Sequence, residues 1–178
     1  IASCLVGSEM CIRDRFSSRA RAAGIKTVGI MVEVPSTALR SSQVLESVDF
    51  ASIGTNDLTQ YAMAADRLQG ELAELLTPWQ PAVIQLVKAT CDGAGERLIG
   101  VCGEAAGDPL LALVLVGVGI RSLSMAAGKI TAVKAALSRH NLEQCRRIAD
   151  AALAACSPEE ARTAALKLAD PSVEVLVS

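Results

Sequence analysis

The chain has 178 residues, room for one domain with a sizeable core. Apolar residues make up 51% of it but aromatic ones only 2%, so Ala, Leu, Val and Ile must fill that core. A net charge of −2 gives no electrostatic ground for nucleic acid or an anionic membrane as partner, and the longest apolar run, 110–120, is too short to span a bilayer.

Residues 1–15 differ in character from the rest of the chain. The sequence opens on Ile1, which is not an initiator, and is expected to be a fragment. The run Cys4-Leu5-Val6-Gly7-Ser8-Glu9-Met10-Cys11-Ile12-Arg13-Asp14-Arg15 lacks signal-peptide design, because an acid interrupts its short apolar part. It resembles translated sequencing adapter, so a non-native leader is expected there, with no function for Cys4 or Cys11.

Residues 16–140 repeat a strand–helix pattern. A strand over 28–33 ends in Glu33, and Pro35-Ser36 opens a helix reaching 48. Strand Phe50–Gly54 runs into a polar turn and a helix over 57–66, with Arg67 near its end. After a loop through Thr77-Pro78, Pro81 opens a helix to 93, followed by strand Leu98–Cys102. Asp108 can cap a helix whose first residue is Pro109. A short strand over 120–125 precedes a helix over 130–139, and His140, the only histidine, suits that helix's C-terminal dipole. The strands are short, apolar on both faces and separated by helices, which means a parallel sheet. The fold class is therefore α/β, with four βα units as in the C-terminal half of a (β/α)8 TIM barrel. A doubly wound open sheet is the alternative.

The tail, 141–178, is helical. Asn141 with Gln144, and Ser157-Pro158-Glu159-Glu160, both fit N-cap signatures, the second a capping box with proline at its first helical position. The tail carries no chemical motif, so packing on the barrel or dimer formation is its expected role. The six cysteines form neither zinc-type pairs nor a small-domain disulfide pattern, so a reducing cytosol is expected. Cys91, Cys145 and Cys156 read as small buried or helix-face residues.

The chemistry gathers where the strands end. Glu33 leaves one strand and Asp57 follows the next, and neighbouring strands lie about 4.8 Å apart, so the two acids can share one ion. Two carboxylates plus water and substrate oxygens suit Mg²⁺. Alone, Glu33 is a solvated strand-end charge and Asp57 a helix N-cap; their equivalent placement favours a site. Arg67 can fork onto a phosphate or carboxylate. Cys102, beside Gly103, can act as nucleophile or proton donor, but no histidine is placed to activate it.

Gly29 through Ser36, Ser52 through Tyr61, Ala65-Asp66-Arg67 and Val101 through Pro109 resemble the C-terminal phosphoenolpyruvate-binding barrel of the enzyme I family. These are the phosphoenolpyruvate–protein phosphotransferases of the bacterial sugar phosphotransferase system. The resemblance covers 24–140. It implies that Glu33 and Asp57 ligate Mg²⁺ and that Asn56, Asp57 and Arg67 contact phosphoenolpyruvate. It further implies that Cys102 protonates the enolpyruvate carbon as pyruvate forms. In that family phosphoryl passes to a histidine on a separate domain and then to the carrier HPr; the enzyme is a cytoplasmic homodimer. Nothing here matches the histidine domain or the early barrel strands, which carry further substrate arginines. Two other readings stand beside this one: a pyruvate phosphate dikinase or phosphoenolpyruvate synthase fragment, which an upstream nucleotide-binding domain would decide, and a non-catalytic, structural or dimerising half-barrel.

Half a barrel leaves strand edges open, and each charge-assisted phosphate contact that it lacks is worth about 1.5–3 kcal/mol. Residues 19–178 expressed alone are therefore expected to self-associate or be partly molten, and to bind phosphoenolpyruvate weakly at best even with Mg²⁺. Size-exclusion chromatography and calorimetric titration test this; a monomer with micromolar affinity contradicts it.

Overall fold

The computed structural model describes residues 8–177, with side chains from Ile12 onward. Cys4 and the side chain of Cys11 lie outside the described residues.

Four strands, β1 (Gly29–Val32), β2 (Phe50–Gly54), β3 (Leu98–Cys102) and β4 (Ser122–Ser124), form one parallel sheet in the order of the chain. A doubly wound sheet needs a point where the strand order reverses, and this sheet has none. Right-handed crossovers between successive neighbours put every connecting helix on the same face, as in half of a (β/α)8 barrel.

Register separates the two faces. Val32, Ala51, Ile53, Ile99 and Val101 are all at most 2% exposed on the helix-covered face. Met31, Ser52, Gly100 and Ser122 form one row across the opposite face, and Gly54, Cys102 and Ser124 the next. That face is mostly small and polar; of its three large apolar residues, Met31 and Leu98 stay 45% and 48% exposed, and Phe50 is half-buried with its ring over Gly29.

Around the sheet lie α1 (Ser8–Ala22), α2 (Pro35–Leu39), α3 (Ser41–Val44), α4 (Thr55–Met63), α5 (Pro81–Ala94), α6 (Pro109–Gly117) and α7 (Ile130–Ser138). The tail adds α8 (Leu142–Leu153), α9 (Pro158–Leu168) and α10 (Ser172–Val177). Helix α6 has no polar face: Pro109 through Leu115 are all buried, because α7, α8, α9 and α10 enclose it. Each fully buried leucine there contributes roughly 1.5–3 kcal/mol, which makes α6 the centre of the core. Among the described residues no helix is long and apolar enough to cross a membrane.

Several boundaries differ from the sequence reading. The helix expected over 35–48 is broken, because Arg40 leaves helical geometry (φ −109°, ψ 23°) and Ser41 donates its hydroxyl to the Ala89 carbonyl of α5 at 3.0 Å. Three further residues, Leu45–Ser47, form a tighter turn. Strand β4 is shorter than 120–125, spanning Ser122–Ser124 alone. Helix α1 runs through residues 8–15 and is joined to α3. The Arg13 guanidinium is 7% exposed and donates to the Gln43 carbonyl and, at 2.8 Å, to the Val44 carbonyl, capping the end of α3.

The tail caps are present. Asn141 and Gln144 make the full reciprocal capping box. Ser157 accepts from the Glu160 N–H at 3.2 Å, but Glu160 reaches past it to the Cys156 N–H at 2.9 Å, so that box is displaced by one residue.

Asp108 ties three elements together. One carboxylate oxygen accepts from the N–H groups of Leu110 and Leu111 at 2.9 and 3.1 Å, starting α6. The other accepts from the indole Nε1–H of Trp79, which is 5% exposed, at 2.9 Å. Asp108→Ala loses a helix cap, worth about 1 kcal/mol, and leaves a buried indole N–H unpaired, worth about 1–3 kcal/mol. It should destabilise the chain by about 2–4 kcal/mol in denaturant unfolding, with Asp108→Asn well below that; equal losses would contradict the double role.

Candidate functional site

Glu33 is the first residue past β1, and its position depends on a missing side chain. A Cβ on Gly54 would lie 2.8 Å from Glu33 Cγ and 2.9 Å from its Oε1. Glycine at the end of β2 thus forms the cradle across which the Glu33 carboxylate rests. Gly54 stands opposite Cys102 in the sheet, and Cys102 opposite Ser124. The half-buried Cys102 directs its Sγ–H to the Ile53 carbonyl at 3.5 Å.

Helix α4 begins two residues earlier than the sequence reading placed it, with Gly54 as its N-cap. Asp57 is therefore in the first turn rather than at the cap, beside Asn56. The turn is pinned by the Thr55 hydroxyl, which donates to the Cys102 carbonyl at 3.3 Å, and by the Thr59 hydroxyl on the Thr55 carbonyl at 2.7 Å. Gly103 (φ +102°) takes a conformation that side-chain-bearing residues avoid, and a Cβ there would lie 3.6 Å from Asn56 Oδ1. The Asn56 amide thus lies beside the turn after β3.

Arg67 is not on the helix. Helix α4 ends at Met63, and Ala64 turns the chain in the left-handed region (φ 51°). Arg67 then comes back, donating from Nη2 to Asp57 Oδ1 at 2.7 Å and from Nε to Gln60 Oε1 at 2.9 Å. Glu33, Asn56, Asp57, Arg67 and Cys102 thus gather about the carboxyl ends of β2 and β3. The sequence places Gly54 and Gln60 within the Ser52–Tyr61 stretch but assigns neither a role; the cradle under Glu33 and the i to i+7 pairing with Arg67 have no local signal.

The donor set is oxygen only. Among the described residues no three or more His, Cys, Asp and Glu come together as a metal site, so no all-protein cage is offered. Two hard carboxylates, Glu33 and Asp57, fit Mg²⁺, which keeps water and substrate oxygens in its octahedron.

Next to these residues opens a cleft of about 870 Å³. Asn56, Gly103 and Ser124 form its wall on the sheet side, and Arg162 of α9 with Leu176 of α10 closes the other.

A family profile described as the PEP-binding domain of PEP-utilising enzymes matches residues 13–142. The chain belongs to the PEP-utilising enzyme family. It is 52% identical over 153 residues to a phosphoenolpyruvate-protein phosphotransferase of Streptomyces coelicolor, covering 84% of the chain and 28% of that relative. It is 41% identical to the phosphoenolpyruvate-protein phosphotransferase of Geobacillus stearothermophilus, covering 75% of the chain and 23% of the relative. A multiphosphoryl transfer protein of Xanthomonas campestris is 44% identical, covering 76% and 16%. The chain thus spans about a quarter, or less, of the curated relatives it matches.

The thiols of Cys91, Cys145 and Cys156 belong to helices or their ends rather than to the strand ends. Burial pushes the Cys91 thiol up to about 12, and burial also raises that of Cys145. A thiol so raised stays protonated and unreactive until the pH approaches 12. At pH 8 iodoacetamide should label exposed Cys156 and leave Cys91 unmodified by mass spectrometry; equal labelling would contradict its burial.

Proposed function

We propose that the whole protein to which this PEP-binding domain belongs transfers phosphoryl from phosphoenolpyruvate to a protein histidine, and from there to the carrier HPr, driving sugar uptake. The observation that carries this reading is the placement of the Glu33 carboxylate over Gly54, beside Cys102 on the next strand. The names of the relatives support the same reaction class.

In this reading Glu33 and Asp57 hold Mg²⁺, which when bound offsets the charge of the phosphate oxygens. Arg67 already has two of its donors fixed, on Asp57 and Gln60, so its remaining N–H groups are oriented before phosphate arrives. Asn56, beside Gly103, offers an amide N–H to the substrate. As the phosphorus–oxygen bond breaks, the enolate of pyruvate takes a proton at its methylene carbon. Cys102 Sγ supplies that proton and is left as thiolate, to be reprotonated from solvent. Its present hydrogen bond, to the Ile53 carbonyl at 3.5 Å, is weak because a thiol is a weak donor, so the proton is released to carbon at little cost. Operation in the cytoplasm, as a homodimer, belongs to the same proposal.

Two variants in the intact protein test it. Cys102→Ala should lower single-turnover pyruvate formation by at least about a hundredfold, in the usual range for a general acid, while phosphoenolpyruvate affinity stays within a few-fold. Gly54→Ala should dislodge Glu33 and weaken Mn²⁺ binding by roughly tenfold to a hundredfold with little change in folding stability. Normal turnover by Cys102→Ala, or unchanged metal affinity in Gly54→Ala, would refute the corresponding role.

A further inference from the structure

Asp57 has two claimants. The reading above gives its carboxylate to Mg²⁺, yet Asp57 Oδ1 already accepts from Arg67 Nη2 at 2.7 Å. A divalent cation and a guanidinium that meet on one carboxylate repel each other, so metal binding weakens the arginine's hold on Asp57. With that ion pair as its only tie, a side chain 47% exposed and rich in rotamers would then be free to turn to solvent.

A second tie is present. Gln60 follows Asp57 by three residues on α4, so the two side chains leave the same face of the helix. Its amide accepts from Arg67 Nε at 2.9 Å. A guanidinium only donates, which makes the amide oxygen, Oε1, the partner. Nε and Nη2 form one edge of the guanidinium plane, and Gln60 and Asp57 each take one hydrogen along it. Both Nη1 hydrogens and the second on Nη2 are left for another ligand. Gln60 also sits at the device that brings Arg67 back, because its carbonyl accepts the N–H groups of Ala64 and Ala65 that close α4. One half-buried residue thus ends the helix through its backbone and holds the returning arginine through its side chain.

We propose that Gln60 is a positioning residue: Arg67 yields Asp57 to the metal and stays at the strand ends because the neutral Gln60 amide keeps its Nε. The proposal rests on the reading of Asp57 as a metal ligand and Arg67 as a substrate contact. To that reading it adds an antagonism between metal and arginine in the substrate-free protein, and the residue that prevents the antagonism from expelling the arginine.

The test uses the intact protein. Without substrate, Mn²⁺ affinity followed by electron paramagnetic resonance should rise about threefold to tenfold in Arg67→Ala, because a competing cation is gone. With saturating Mg²⁺, Gln60→Leu should weaken phosphoenolpyruvate binding in calorimetric titration about tenfold, as loss of a hydrogen bond to a charged group requires. In an Arg67→Ala background the same Gln60→Leu change should cost nothing more, whereas a role confined to the packing of α4 would cost as much in both backgrounds. In the parent protein labelled with ¹⁵N-arginine, the Arg67 Nε–H should exchange with water as slowly in saturating Mg²⁺ as without metal. That measurement decides the matter even where a variant does not fold. Fast exchange once metal is bound, additive losses in the double variant, or Mn²⁺ affinity that does not rise in Arg67→Ala would overturn the proposal. Phosphoenolpyruvate affinity lost in Arg67→Ala but kept in Gln60→Leu sinks this proposal alone. Affinity unchanged in Arg67→Ala sinks the reading of Arg67 as a substrate contact, and this proposal with it.

Discussion

Everything in this domain depends on laying four parallel strands side by side in chain order. Right-handed crossovers then place all the helices on one face, and the strands' other face cannot be covered by the same segment. The covered face carries the apolar weight: Val32, Ala51, Ile53, Ile99 and Val101 against the helices, with α6 buried on all sides behind them. The opposite face takes glycine and serine at Gly29, Ser52, Gly54, Gly100 and Ser122; at Gly29 a Cβ would collide with the Phe50 ring of the next strand, and at Gly54 with Glu33. What remains for chemistry is the row of strand ends, where backbone turns outward and polar groups can reach solvent. Glu33, Cys102 and Ser124 occupy that row because each is the last or next residue of its strand.

The contacts at those ends contribute little to stability. Asp57 and Arg67 are 35% and 47% exposed, and an ion pair so open to water is worth at most about 1 kcal/mol. To return Arg67 to Asp57 the chain holds Ala64 in the left-handed region, which costs an alanine about 1–2 kcal/mol. The local balance is unfavourable or near zero. Ala64 is also the C-cap of α4, where the left-handed turn returns backbone N–H groups to the Gln60 carbonyl, so ending the helix and returning Arg67 are one device.

The sequence was most legible where one physical signal dominated. Strands Phe50–Gly54 and Leu98–Cys102 match the structure at both ends, because an apolar run bounded by an acid or arginine and a glycine leaves one solution. Asp108-Pro109 and Asn141 with Gln144 could be read as caps from their own chemistry. The break at Arg40 could not, since it answers to the Ser41–Ala89 contact with a helix forty-odd residues away. The early start of α4 and the return of Arg67 were hidden for a related reason. Gly54 serves at once as strand end, helix cap and cradle for Glu33, and Ala64 takes a conformation that its residue type disfavours. Trp79 gave no hint of its partner, because a hydrogen bond spanning 29 positions leaves no local pattern.

The tail shows how a segment without chemical motifs still shapes the mouth. His140 accepts the Asp170 N–H at Nε2 at 2.9 Å, so that nitrogen carries a lone pair and Nδ1 carries the proton, which it gives to the Ala136 carbonyl at 2.8 Å. A neutral imidazole thus joins the end of α7 to the turn that starts α10. Asp170 reinforces that turn through Ser172, whose hydroxyl and N–H hold its carboxyl below the usual range, with Arg139 at 3.9 Å adding to the effect. Fixing the turn fixes α10, and α10 brings Leu176 and Val177 to the wall that faces Asn56 and Gly103. The same packing of α9 against α8 through Ala161 and Ala165, both fully buried, aims Arg162 at the cleft from the other side. Small residues that look featureless in sequence therefore decide where a charge and an apolar wall stand relative to the strand ends. The mouth is built jointly by the sheet and by helices that contribute geometry rather than chemistry.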